Sequence, residues 1–483
     1  MKKYVIIFGF AALAAIMSVA CEGPAGPQGI QGEKGEKGEK GEKGEKGGTG
    51  EKGETGEKGE DGERGEKGDS LYLVIFNANG GAFSNGSETK KVSAEGNCPI
   101  TQPEEPYLAW GSFLGWYTRQ EGGSMFDFTT PVNVAITLYA HWLFDKKLLA
   151  DWLEDQGGGN SEDDPLLLPI SINLDEWRDL LEAIEAAQKY VGLDLSRCDM
   201  NGTVFNPDSR VSNGKNKIVS IILPNKATEI ATGTEATNAF AGFVNLRSFN
   251  GANLAAIGAY AFYKCAKLNP DALPASVTSI GNYSFYSCTE MELTELPSGI
   301  VSIGSHAFDG CSKLVLTELP DGLTKINSYS FQGCKNLALI ELPQGITEIG
   351  SHAFSGCANI ALTELPSAVK SILTYAFNGC SRLALTCLPE SVTSIGTNTF
   401  YGCSSLEEMT MHEKITNIGN SAFSGCNSLE FFICLAEKPP TLGTSVFYKT
   451  HPELKIKVPE ASIEAYRNAA NWSVVAERIG EIK

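Results

Sequence analysis

Apolar positions in the C-terminal half of the chain recur every 23 residues, a period that no single helix or strand produces by itself. Phenylalanine occupies positions 262, 285, 308, 331, 354, 377, 400 and 423, and Phe240 and Phe447 continue the column at slightly altered spacing. Five residues before each regular phenylalanine is an isoleucine, from Ile257 to Ile418, and three after it is a cysteine, from Cys265 to Cys426. One repeat reads LTELPDGLTKINSYSFQGCKN, with Pro297, Pro320, Pro343, Pro366 and Pro389 closing a short strand. Such a unit cannot bury its own apolar face. Stacked neighbours can, and each fully buried side chain then contributes roughly 1.5–3 kcal/mol. The period therefore predicts a solenoid, with a short strand per repeat in a parallel sheet and turns or short helices on the other side.

Other patterns precede it. From Leu71 to Trp142, aromatic and β-branched runs broken by Asn79-Gly80-Gly81 predict a compact β unit. A short helical stretch and the run GGGNSEDD follow, a flexible joint by composition. Leu166 to Asn173 predicts a strand, Leu174 to Tyr190 an amphipathic helix, and Val191 to Leu195 a second strand, together a cap over the open end of the solenoid. Glycine after isoleucine, at Gly281, Gly304, Gly350, Gly396 and Gly419, predicts a turn with positive φ; Asn327 substitutes tolerably, and Leu373 predicts a local distortion.

The first seventy residues are of a different kind. Lys2, Lys3 and an apolar run from Tyr4 to Met17 predict an export leader too short to be a stable membrane span. Glycine then falls at every third position from Gly23 to Gly68, sixteen triplets without a break. The axis of three wound polyproline-II chains admits only glycine, so an unbroken frame has a physical cause; a disordered, charge-balanced spacer is the alternative. Wound, the segment would run roughly 140–150 Å at about 3 Å per residue and make the protein a homotrimer.

Four resemblances organise these segments. Ser18-Val19-Ala20-Cys21 resembles the lipobox of bacterial lipoproteins, although Ser18 departs from the usual aliphatic residue; the resemblance implies acylation of Cys21, and an ordinary cleaved leader is the alternative. The triplets resemble collagen. FNANGG at 76–81, GSFLGWYT at 111–118 and LYAHW at 138–142 resemble the B repeat of internalin-type surface proteins, which implies a β-grasp module. The pattern L…LP…IG..AF.GC..L resembles the BspA-type leucine-rich repeat, and the tail 455–482 resembles that family's strand-plus-helix ending. The expected organisation is multidomain: leader 1–21, collagen-like triple-helical stalk 22–70, small β-grasp-like domain 71–143, linker 144–164, N-terminal cap 165–217, leucine-rich-repeat solenoid 218–450 and C-terminal cap 451–483.

Charge and chemistry narrow the function. A formal charge of −19 and the absence of a Lys/Arg cluster argue against nucleic acid. No Ser-His-Asp set, Gly-x-Ser-x-Gly, Walker loop or His-Glu-x-x-His occurs, so neither an enzyme nor a cofactor is expected. The cysteine column reads as inward-packing small hydrophobes, with Cys387 and Cys434 outside it; a metal ladder or disulfide set is the alternative. His141 has no second ligand at metal spacing and reads as structural.

Two rows are candidate binding sites. Tyr260, Tyr283, His306, Tyr329, His352 and Tyr375 share one column; His306 and His352 stand two repeats apart, roughly 10 Å, too far for one metal. An exposed row of this kind suits a glycan or peptide, or is a solvated turn surface. Glu295, Glu318, Glu341 and Glu364 form the other row. Neighbours about 5 Å apart repel by roughly 0.8 kcal/mol in water, so the row suits a basic partner or Ca²⁺, or is a soluble sheet face. Strict alternation sends both these glutamates and Leu316 and Leu339 outward, a conflict for the structure to settle. The expected function is an exported, lipid-anchored adhesin at the bacterial surface that binds an extracellular protein or glycan; the alternative is a self-associating matrix component.

Overall fold

The computed structural model describes residues 71–120, 123–207 and 213–482. Cys21 and the Gly-X-Y triplets lie outside the described residues.

The first domain is one four-stranded sheet. Its strands β1 (Leu71–Asn77), β2 (Thr89–Glu95), β3 (Gly111–Tyr117) and β4 (Ile136–Phe144) lie in the order β2-β1-β4-β3, with the central pair parallel and the outer pairs antiparallel. Among the described residues no helix interrupts the connection from β2 to β3, so the β-grasp likeness extends to the sheet alone. Val74, Phe76, Trp116 and Leu138 form a core of their own, with Phe76 edge-on to Trp116 at 4.9 Å. Asn79 and Gly80 both take positive φ, 49° and 97°, as a type I′ turn requires. At Gly81 a Cβ would meet the Trp142 ring at 2.5 Å, which leaves glycine as the residue that fits.

Residues 144–164, expected as a flexible joint, are held in place. Helix α1 (Lys146–Glu154) is capped by Asp145, which accepts from the amides of Lys147 and Leu148. Its Leu149 and Leu153 are fully buried in a core that also holds Leu108 and Trp110 of the small domain and Leu180 and Leu181 of helix α2 (Trp177–Ala187). The glycine-rich loop is tied down by Lys189, whose Nζ donates to the carbonyls of Gln156 and Gly158 and to Asn160 Oδ1 at 2.9–3.0 Å. Glu162 and Asp163 pair with Arg247, on the second turn of the solenoid. Composition alone did not reveal these partners, because the cations come from far along the chain.

The N-terminal cap forms as expected. Strands β5 (Leu166–Pro169) and β6 (Val191–Asp194) add in parallel to the solenoid strands Ile218–Ile222 and Ser248–Asn250. The other end is closed by Lys455–Val458, helix α3 (Ile463–Asn468) and Ile479–Glu481, with Trp472 buried and its Nε1 donating to the Pro440 carbonyl at 2.8 Å. No helix among the described residues is long and apolar enough to cross a membrane.

Between the caps, the repeats depart from the expected strand position. The regular ladder is two residues long and lies at the isoleucine, as in Ser302–Ile303 and Lys325–Ile326. The Leu-Thr-Glu-Leu-Pro segment is not pleated: Leu316 and Leu319 are both buried, at 0% and 6% exposure, while Thr317 and Glu318 between them are exposed. Two residues between inward side chains break the two-residue period, which resolves the conflict over Leu316 and Leu339. The opposite side consists of turns, without the short helices allowed for in the sequence reading. It carries three backbone bonds per step, such as Tyr329 N to Ser351 O, Phe331 N to Ala353 O and Gly333 N to Ser355 O at 2.8–3.0 Å. The turn face is therefore the most regularly hydrogen-bonded surface of the solenoid.

The glycines after isoleucine are explained differently from expectation. They do not take positive φ; a Cβ at Gly304 or Gly350 would instead lie 2.5 Å from backbone nitrogen of the preceding repeat. The two exceptions coincide with breaks in the ladder, one between Ser302–Ile303 and Lys325–Ile326 and one between Ser371–Ile372 and Ser394–Ile395. At the first, the Asn327 side-chain amide bonds the Ile303 carbonyl in place of a backbone N–H. At the second, Leu373 is 37% exposed and the next glycine, Gly396, approaches less closely, at 2.9 Å. Gly350→Ala is expected to destabilise the solenoid by about 2 kcal/mol, read as a lower midpoint of denaturant unfolding.

Candidate binding surface

The six predicted tyrosines and histidines come together as one continuous stack. Tyr260 and Tyr283 have ring centroids 4.6 Å apart, Tyr283 and His306 4.3 Å, His306 and Tyr329 4.2 Å, Tyr329 and His352 4.5 Å, and His352 and Tyr375 4.4 Å. Adjacent planes are tilted by no more than 14°. All six are half-buried on the turn face. Stacking covers the ring faces, so what reaches solvent is edges: phenolic hydroxyls and imidazole nitrogens.

The turn itself does not demand aromatics. All six residues have φ between 56° and 62°, a left-handed conformation that costs a side-chain-bearing residue about 1 kcal/mol. Asn398, Ser421 and Ser445 hold the same place in the next three repeats with φ of 52–55°, and Asn tolerates it best. Six consecutive aromatics thus require another cause. Stacking, at about 0.5–1.5 kcal/mol per pair, offsets the strain and fixes a rigid row of polar edges.

Polar neighbours flank this row. Three residues after each ring stands a second column, with Tyr286, Asp309, Gln332, Ser355 and Asn378 beside the central rings. Asp309 Oδ2 lies 2.8 Å from His306 Nδ1. Burial raises the Asp309 carboxyl above its ordinary value, and the bond from His306 opposes that rise. Burial lowers the His352 imidazole, favouring its neutral form, and raises the Tyr283 hydroxyl. Tyr263 and Tyr286 stack at 4.9 Å, a short second ladder that the column count on the first row did not reveal. The fixed three-residue offset from Tyr260 and Tyr283 was the available signal.

The glutamate row is placed differently. Glu295, Glu318, Glu341 and Glu364 are all exposed, on the opposite flank, each paired with the outward residue before it. A shallow depression of about 130 Å³ lies between Glu318, Asp321, Glu341 and Gln344. Among the described residues no three His, Cys, Asp or Glu side chains converge to hold a metal ion. Cys387 takes the next place in the row and is exposed.

The cysteine column faces inward, and its thiols have a task that its packing role did not suggest. Each donates to the phenylalanine carbonyl of the preceding repeat, as Cys311 Sγ to Phe285 O and Cys334 Sγ to Phe308 O, both at 3.1 Å. All eight are buried and unbridged, and burial pushes the Cys265 thiol up to about 12. Cys434 is also buried, receiving a hydrogen bond from Tyr466 at 3.2 Å. Alkylation of the native protein should therefore modify Cys98 and Cys387 and spare the column until unfolding, as peptide mapping by mass spectrometry would show. His141 is structural: it stacks on Tyr117 at 3.9 Å, and its Nε2 bonds the Arg119 carbonyl at 3.1 Å.

Comparison with known proteins accords with this architecture. The model of the BspA type leucine rich repeat region matches residues 207–338, 302–430 and 347–471, together more than half of the chain. The Listeria-Bacteroides repeat domain matches residues 72–141 and the collagen triple helix repeat residues 20–70. A curated relative, a putative membrane protein of Evansella cellulosilytica, is 40% identical over 72 residues, which are 15% of this chain and 10% of that protein. The match thus spans about a tenth of that relative's length. A solved leucine rich cell surface protein of Faecalibacterium prausnitzii is 26% identical, covering 55% of this chain and 79% of its own, with a TM-score of 0.36. The T. pallidum leucine rich repeat protein is 28% identical, covering 43% and 77%, with a TM-score of 0.27.

Proposed function

The chain belongs to the BspA-type leucine-rich-repeat family, and on that premise we propose that it is a binding protein displayed outside the bacterial cell, with the Tyr260–Tyr375 stack as its contact surface. The observation that carries this assignment is the run of six stacked rings in a left-handed position that Asn or Ser fills elsewhere in the same solenoid. Rigid aromatic edges give contact area at low entropy cost. The absence of a catalytic motif in the sequence and the extended, open form of the face favour binding over catalysis.

Display follows from the N-terminal segments in this proposal. Cys21, acylated, holds the chain at the membrane; the Gly-X-Y segment, wound as a homotrimer, carries the solenoid away from it. Three solenoids on one stalk would turn weak contacts into avid ones. The test applies soluble protein to immobilised extracellular matrix and to whole bacterial and epithelial cells. Saturable binding to one of these surfaces is expected. No binding, with concentration-dependent self-assembly, would instead favour a matrix component that associates with itself.

A further inference from the structure

We propose that the stacked row binds a linear, neutral polysaccharide laid along the solenoid axis. The inference rests on that row being the contact surface and names its ligand class. Three features of the turn face point to it.

The first is unpartnered hydroxyls. The phenolic oxygens of Tyr260, Tyr283, Tyr329 and Tyr375 have no hydrogen-bond partner within the described residues, and none is sealed from solvent. Each can donate and accept, as can the hydroxyls of a sugar. The second is neutrality. The chain carries a formal charge of −19, yet the column before the rings, from Asn282 through Ser305, Ser328 and Ser351 to Thr374, is uncharged. In the column after them, from Tyr286 to Asn378, Asp309 is the one charged residue, and it is bonded to His306. A polyanion would meet no cation there, and a basic ligand would find its charges better matched on the glutamate row. The third is periodicity. Five steps of 4.2–4.6 Å place the first and last rings roughly 20 Å apart in a straight line, which suits a polymer with regularly spaced hydroxyls better than a terminal sugar.

A peptide fits this face less well. Peptide recognition relies on side-chain anchors seated in apolar pockets or on an open sheet edge. Here the ring faces are already covered by their neighbours, and the inter-repeat backbone bonds of the turn face are already made.

The test uses the full-length protein, immobilised and exposed to soluble mannan, xylan, dextran and cello-oligosaccharides of graded length, with hyaluronan as a polyanionic control. At least one neutral polymer is expected to bind, more tightly as its length approaches that of the row. The double variant Tyr329→Phe, Tyr375→Phe keeps the stack and removes two hydroxyls, so its affinity should fall about fivefold per hydroxyl with an unchanged melting temperature. Three results would each overturn the inference: no neutral polymer retained, hyaluronan preferred, or the phenylalanine variant binding as tightly as the parent. If the protein still bound cells in a manner that depended on the row, the contact surface would stand while the polysaccharide assignment fell. Loss of both would remove the function proposed above as well.

Discussion

Phe331→Ala should cost the solenoid about 4 kcal/mol and change how it unfolds, not merely when. Phe331 is fully buried and stacks between Phe308 at 5.5 Å and Phe354 at 5.7 Å, in the middle of the column. Truncation leaves a cavity whose walls belong to three repeats, and the backbone bonds from Tyr329, Phe331 and Gly333 to the next repeat give the site little freedom to collapse. In a stack of nearest neighbours, stability is roughly a sum of repeat and interface contributions, so a weak centre uncouples the two ends. Denaturant unfolding is expected to split into two transitions. Hydrogen exchange should quicken in the repeats around Phe308 and Phe354 and leave β1 to β4 unchanged, since those strands have a core of their own.

The second large effect concerns binding. Tyr329→Ala with His352→Ala removes two adjacent rings from the middle of the row and should lower affinity for whatever surface the protein binds by about 30-fold or more, in the range of paired interface hot spots. Stability should suffer far less. Both rings are half-buried, and each stacked contact is worth about 0.5–1.5 kcal/mol, part of which the relief of left-handed strain returns at neither site, because alanine is strained there too. Tyr329→Asn with His352→Asn suits the backbone better, as Asn398 shows in the same turn, and separates the two effects: binding lost, fold retained.

How much of this was legible beforehand differs by element. The 23-residue period revealed the solenoid because each buried column is a side-chain identity, and Phe331, Ile326 and Cys334 are all inside as their columns require. The cap helix and both cap strands were equally legible from their apolar spacing. The strand position was not. Leu316 and Leu319 are inward in a segment with no pleat, and the spacing of identities does not distinguish that from a strand with a kink. The glycine column was visible but its cause was not: contact between Gly350 and the backbone of Ser328 is a property of two repeats together. The row of Tyr and His was legible as a column, whereas its closed stack follows from a left-handed φ at each ring that residue type alone does not encode. The pinned loop around Gly158 was read as flexible because Lys189 and Arg247 lie outside it in sequence.

Hydroxyl-radical footprinting of the protein bound to its target surface tests most directly whether the stacked row is the contact face. Protection is expected on Tyr283, His306, Tyr329, His352 and Tyr375, with Phe431 and the Glu295–Glu364 flank unchanged. Protection of the glutamate flank around Leu319 and Leu342, with the row still oxidised at its free rate, would contradict the account and move the binding face to the other side of the solenoid.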